Sequence, residues 1–250
     1  MGQNGRMFRV DLNCDMGEGA GHEAELMPLI SSANIACGVH AGSARTMRET
    51  CELAEQHGVS IGAHPSLDDR ANFGRRELPI TQAAAAALVT RQLRALAAYA
   101  KLRHVKPHGA LYNMAARDPA LAQAIAIAVK EFDATLVLFG LAESELTRAG
   151  TAAGLVVAHE AFADRTYQRD GSLTPRSQPN ALLETPQLAA AQAVRLVRVG
   201  HVRATDGTEI PVRADTICLH GDGPRSLEFA QAIRLAFERT DISVAPFAPR

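Results

Sequence analysis

No segment of this 250-residue chain concentrates Lys or Arg, and the formal net charge is −1. Nucleic acids and anionic membranes both select for clustered cations, so neither is expected as a partner and a small molecule is. Cysteine is sparse. Cys14, Cys37, Cys51 and Cys218 form no CxxC pair, which argues against a disulfide framework or a zinc knuckle and for reduced thiols in the cytoplasm. Met1 to Arg6 contain no apolar stretch of the secretory type, and Arg6 spoils a myristoylation pattern. The most apolar helical stretch, around residues 83–100, is broken by Arg91, Gln92 and Arg94, so it does not read as a bilayer span. Neither Gly-x-x-x-x-Gly-Lys-[Ser/Thr] nor Gly-x-Gly-x-x-Gly occurs; the chain announces no nucleotide site of its own.

Hydrophobic residues are plentiful, at 47%, enough for one large core. Residues 1–250 are expected to form a single domain, with 1–6 as a disordered extension. Seven short apolar runs stop at polar, mostly titratable groups. Phe8-Val10 precedes Asp11, Asn13 and Asp15; Ile35-Cys37 precedes His40; Ile61-Ala63 precedes His64; Val105 precedes Lys106 and His108. Leu136-Phe139 leads to Gly140, Val156-Ala158 to His159 and Glu160, and Ile217-Leu219 to His220 and Asp222. Buried parallel strands read as continuous apolar runs. Helical patterns alternate with them: 43–57 ending at Gly58, Thr81 to about Arg103, Asp118-Pro119 to Phe132, Thr185-Pro186 to Gly200, and Pro224 to Arg239. Alternation of this kind means βαβ units and a parallel sheet. Chemistry follows at least five strands rather than one switch point, which favours a closed seven-stranded (β/α) barrel over an open sheet.

Two connections are long for a compact domain, 65–80 and 161–185, and read as a lid and a clamp over the barrel mouth, anchored by Phe73, Phe162 and Tyr167. Residues 201–213, centred on Asp206-Gly207, read as a β-hairpin.

Asp11, Asn13 and Asp15 alternate with Leu12 and Cys14, so a continuous strand turns all three to the barrel interior; the alternative is a strand end whose acids cap backbone amides. Glu18, in Gly17-Glu18-Gly19, offers a further carboxylate or a solvated loop. His40 and His64 sit among small neighbours at equivalent strand ends and suit acid/base chemistry or, with Asp15, metal ligation. Lys106 and His108, two residues apart, read as one side of a strand; the amine can neutralise an anion or pair with an acid. Cys14 and Cys37 are weighed as nucleophiles and set below inert buried thiols.

At these residues the chain resembles a known family. Asp11 to Glu18, Ser32 to Gly42, Gly62 to Ser66, Asn72 to Arg75, His104 to Tyr112, Glu160 to Arg165, Leu173 to Ser177 and Cys218 to Asp222 together are similar to the LamB/YcsF family, over about residues 7–245. The departures are small: Val39 where an aromatic is common, and the additional residues 1–6. The resemblance implies a (β/α) barrel of the glycoside hydrolase/deacetylase type. It also implies ATP-dependent opening of 5-oxo-L-proline to L-glutamate, shared with separate B and C subunits that bind most of the ATP.

On that implication the expected roles are as follows. An acid, Asp11 or Asp15 first and Glu160 next, acts as general base. Lys106 with His40 or His64 stabilises an oxyanion, and Asn13, His108 and His220 complete the catalytic set. Arg165 or Arg176, with Glu18 and Asp222, holds the substrate. Two rivals remain open: a stand-alone metal-dependent amidohydrolase or deacetylase using Asp15, His40 and His64, and a non-catalytic protein that presents the lactam to its partners.

Overall fold

The computed structural model describes residues 8–223 and 225–248. Its elements, in chain order, are β1 Phe8–Met16, α1 Glu23–Leu26, β2 Ser32–Ala36, α2 Ala44–Gln56, β3 Ser60–His64, α3 Gln82–Ala97, β4 His104–Val105, α4 Gly109–Arg117 and α5 Pro119–Phe132. There follow β5 Val137–Leu141, α6 Glu145–Ala153, β6 Val156–Phe162, α7 Pro186–Val199, β7 His201–Arg203, β8 Glu209–Pro211, β9 Thr216–Leu219, α8 Ser226–Arg239 and β10 Ile242–Val244.

The strands run in the order β1-β2-β3-β4-β5-β6-β9, all parallel, and β9 pairs back onto β1. Seven strands therefore close a barrel, each expected run supplying one. β10 lies parallel outside, on the amino-terminal half of β1. The β7–β8 hairpin is antiparallel, with His201 opposite Pro211.

Alternation along β1 explains the two faces. Leu12, Cys14 and Met16 are buried in the apolar core, where helices such as α6 and α8 also bury Leu146 and Phe237. The intervening residues Asp11, Asn13 and Asp15 meet side chains of β2, β6 and β9 inside the barrel. Serine and threonine hydroxyls and Asp118 cap helices as their sequence positions imply: Ser43 accepts from the Thr46 amide, Thr81 from Ala84, Asp118 from Ala120 and Leu121, and Thr185 from Leu188. Gly200, at φ 71°, ends α7 in the left-handed region.

Three sequence expectations change. The helix from Thr81 stops at Ala97 rather than near Arg103, because the Arg103 amide must reach the Ile61 carbonyl, 2.8 Å away, to bring β4 alongside β3. β4 itself is two residues long, so Lys106 and His108 lie beyond it; Pro107 has no N–H for a ladder, and α4 begins at Gly109. α6, capped by Ser144 and closed by Gly154 at φ 82°, was not anticipated. The last helix starts at Ser226; the expected start at Pro224 and the extension 1–6 lie outside the described residues.

Candidate active site

The barrel interior is a hydrogen-bonded network rather than layers of branched aliphatics. Ser31 and Ser32 donate to Asp11 Oδ1 at 2.6 and 2.7 Å, and Thr216 Oγ1 donates to Asp11 Oδ2 at 2.5 Å. Asn13 Nδ2 donates to Thr216 Oγ1 and Glu160 Oε1, at 2.7 and 2.9 Å. Asn34 Nδ2 donates to Asn13 Oδ1 (2.7 Å) and Asp15 Oδ1 (2.9 Å), and His104 Nε2 donates to Asn34 Oδ1 at 2.8 Å. Each of these buried side chains thus finds partners, with only His104 Nδ1 left over; pairing matters because an unpaired buried group costs about 1–3 kcal/mol.

Lys106 sits in the middle of this network. Its amine is 2.9 Å from Asp15 Oδ1, 3.0 Å from Glu160 Oε1, 3.2 Å from Asn13 Oδ1 and 3.0 Å from Cys218 Sγ. Burial by itself would favour the neutral amine, but Asp15 foremost, with Cys218 and Glu160, holds the Lys106 pKa well above its ordinary value. Burial likewise works against the Asp15 charge, and the adjacent His64 and Lys106 outweigh it, leaving Asp15 well below the usual carboxylate range. Tyr112 Oη donates to Glu160 Oε2 at 2.7 Å, so both oxygens of Glu160 are occupied.

A cavity of about 930 Å³ opens above this floor. Asp15, His64, Lys106, His108, Arg165, Arg176 and His220 line it, all expected from sequence. Arg75 and Tyr112, which were not expected, line it too. His220 is held by Asp164: Nδ1 lies 2.9 Å from Asp164 Oδ2. Burial raises the Asp164 pKa, and His220, Arg165 and Arg176 bring it below the ordinary value. One ligating atom each of Asp15, Cys218 and His220 fall within 4.8 Å of one another.

Other expected residues lie elsewhere. Asp11 sits beneath the cavity with its oxygens taken by three hydroxyls, and burial pushes its pKa up; Asn13 and Glu160 also lie below the lining. Arg165 spends Nε on the Ala181 carbonyl and Nη2 on that of Thr174, tying residues 161–185 together, while Arg176 is exposed at the rim. Asp222 is ion-paired with Arg75, joining the loops after β9 and β3. Glu18 and His40 form a side cluster with His64 and His108: His40 Nε2 is 2.9 Å from Glu18 Oε1, and His40 stacks on His108 at 3.8 Å. Burial pushes the His40 pKa down to about 3. It pushes the thiol of Cys37 up to about 12 and raises that of Cys14 well above its ordinary value, so neither is an activated nucleophile.

Phe73 lies edge-on to both His40 and His108, and Tyr167 Oη accepts from the Phe162 amide at 2.7 Å. Among residues that sequence reasoning passed over, Asn34 and His104 carried the same alternation signal as Asp11 to Asp15, since each sits two residues from another inward-facing position. Tyr112 and Asp164 stood out only as members of the family motifs, and Thr216 carried no signal.

A closed parallel barrel with a charged cavity at the carboxyl ends of its strands is the class of structure described here. The LamB/YcsF family matches residues 10–250, and the chain belongs to it. It is 53% identical to the A subunit of the 5-oxoprolinase from Brevibacillus brevis over 249 residues, covering 96% of this chain and 98% of that protein. The crystal structure of the lactam utilization protein from Thermus thermophilus superposes with a TM-score of 0.90 at 46% identity, covering 96% of this chain and all of that one. The T48 deacetylase solved with its substrate, 12% identical with a TM-score of 0.52 and covering 100% and 98% of the two chains, shares the fold alone.

Proposed function

We propose that this chain is the A subunit of a 5-oxoprolinase and that its cavity completes the hydrolysis of 5-oxo-L-proline to L-glutamate. The observation that carries the reading is the buried Lys106 amine at the cavity floor, held charged between Asp15 and Glu160. The name and near-full-length identity of the Brevibacillus relative support the choice of substrate.

A lactam carbonyl is a weak electrophile because its nitrogen donates into it. Transfer of the γ-phosphoryl group of ATP to that oxygen cancels the donation and is assigned to the partner B and C subunits, which bind the nucleotide. The remaining step needs a base, a cation and an anchor. His220, oriented by Asp164 through Nδ1 as a general base is usually oriented by an acid, takes a proton from water as that water adds to the ring carbon. Lys106 faces the negative charge that develops. The ring C–N bond breaks, the nitrogen takes the proton back from His220, and a second water releases phosphate from the resulting acyl phosphate.

This distribution departs from the sequence-based one in the base. Asp15, pinned by Lys106 and His64, is a poor proton acceptor and serves as counter-charge; Asp11 and Glu160 have no free oxygen facing the cavity. Arg176 at the rim pairs with the substrate carboxylate, and Arg165 shapes the loop that presents it. Four buried free cysteines support a cytoplasmic setting, and no helix among the described residues is long and apolar enough to cross a membrane.

The test is reconstitution. Purified chain combined with the B and C subunits of a related 5-oxoprolinase should release glutamate from 5-oxoproline only when all three and ATP are present. Glutamate release by this chain alone, without ATP, would favour the stand-alone amidohydrolase instead.

A further inference from the structure

The imidazoles of His64 and His108 meet in a way that two neutral rings cannot satisfy. His64 Nδ1 lies 2.7 Å from the Lys106 carbonyl oxygen, and His108 Nε2 lies 2.9 Å from that of Phe73. A carbonyl oxygen only accepts, so each ring commits its single neutral-form proton there. The remaining nitrogens, His64 Nε2 and His108 Nδ1, are then both lone-pair donors, and they stand 2.9 Å apart. Glu18 Oε1 is 3.4 Å from His108 Nδ1, 3.9 Å from His64 Nε2 and 2.9 Å from His40 Nε2. Two imidazole nitrogens and a carboxylate oxygen thus face one buried point, while His40, stacked on His108 with 6° between the rings, aims no lone pair there and donates Nε2–H to Glu18 Oε1 instead.

We propose that a divalent transition-metal ion of the zinc or cobalt kind binds there, ligated by His64, His108 and Glu18 with a fourth position left for water. Donors about 2.0–2.1 Å from a tetrahedral ion stand about 3.3 Å from one another, and the spacings of 2.9, 3.4 and 3.9 Å among His64, His108 and Glu18 bracket that value. Backbone carbonyls behind His64 and His108 are the usual outer partners of ligating imidazoles, fixing the tautomer that turns a lone pair inward. Asp15, the sequence-based candidate, is 3.4 Å from His64 Nε2 and already neutralised by Lys106, which leaves it outside the ligand set. His64 and His108 line the cavity, so the ion has a way in, and when bound it would add Lewis acidity to the cavity wall.

The full chain, stripped with a chelator and titrated with Co²⁺ in the absence of substrate, nucleotide and partner subunits, tests this. One Co²⁺ per chain is expected, with the strong visible bands of four-coordinate cobalt, which Zn²⁺ then displaces. His108→Asn and Glu18→Gln should each weaken binding by at least the ~10–100-fold known for loss of an outer-shell partner. Where a variant fails to fold, as judged by circular dichroism, the wild-type stoichiometry and spectrum decide. No stoichiometric uptake would mean that a proton is shared between the rings; weak six-coordinate spectra only, or uptake undiminished in both folded variants, would mean adventitious binding. Any of these overturns the proposal. None bears on lactam hydrolysis, which is measured separately.

Discussion

His104 fills the space that a side chain at Gly62 would need: a Cβ on residue 62 would lie 2.1 Å from His104 Nε2. The two residues pair across β3 and β4, and the missing side chain lets the imidazole reach over β3 to Asn34 on β2. Gly62→Ala should therefore destabilise the protein by about 1–3 kcal/mol or more, the cost of overpacking a filled core. Chemical denaturation measures it; an unchanged midpoint would mean that the ring moves aside freely.

His104 also gives acid sensitivity a definite window. Burial pushes its pKa down to about 3, whereas an unfolded histidine titrates near ~6.5. Between those values the unfolded chain holds a proton that the folded chain does not, so stability rises with pH there and falls on acidification from ~6.5 toward ~3, by up to about 1.4 kcal/mol per pH unit for one proton. His104→Gln keeps a donor for Asn34 and should flatten this slope in urea melts taken across about pH 4–6.

Tyr112 and Glu160 form a buried hydrogen-bonded pair. Tyr112→Phe removes the donor to Glu160 Oε2 and should cost about 1–3 kcal/mol by leaving it unsatisfied. A thermal melt indistinguishable from wild type would show that Glu160 finds another donor.

Asp164→Asn tests the assignment of His220. With the carboxylate gone, the imidazole loses its anionic partner, and the amide NH2 can turn to Nδ1 and hold the wrong tautomer, so kcat in the assembled complex should fall by about 10²–10⁴, the usual contribution of a general base. On the proposed assignment Arg176 holds the carboxylate end, so KM for 5-oxoproline should change little. An equal rise in KM with kcat preserved would place Asp164 in substrate binding instead.

Local pattern carried the barrel: seven apolar runs ending in polar groups, with helices capped by Thr81, Asp118 and Thr185, suffice to order the strands. It missed β10, whose Ile242-Ser243-Val244 looks like any short loop until Phe8 and Val10 lie beside it. α4 was hidden because Lys106-Pro107-His108 also reads as extended chain. Many cavity groups were legible because they sit at strand ends, yet their division of labour was not. Asp11 and Asp15 look alike in sequence; one meets three hydroxyls and the other an amine and an imidazole. Those partners, such as Thr216 for Asp11 and Lys106 for Asp15, lie 205 and 91 residues away, and only closure of the barrel decides between them.

Lys106→Met keeps an unbranched side chain, one atom shorter, and removes its charge, so it tests the role of that cation. In a folded, fully assembled complex, ATP-dependent glutamate release should fall by about 10²–10³, the loss typical of an oxyanion-stabilising group. Turnover within a few-fold of wild type would contradict the placement of ring opening at this cavity floor.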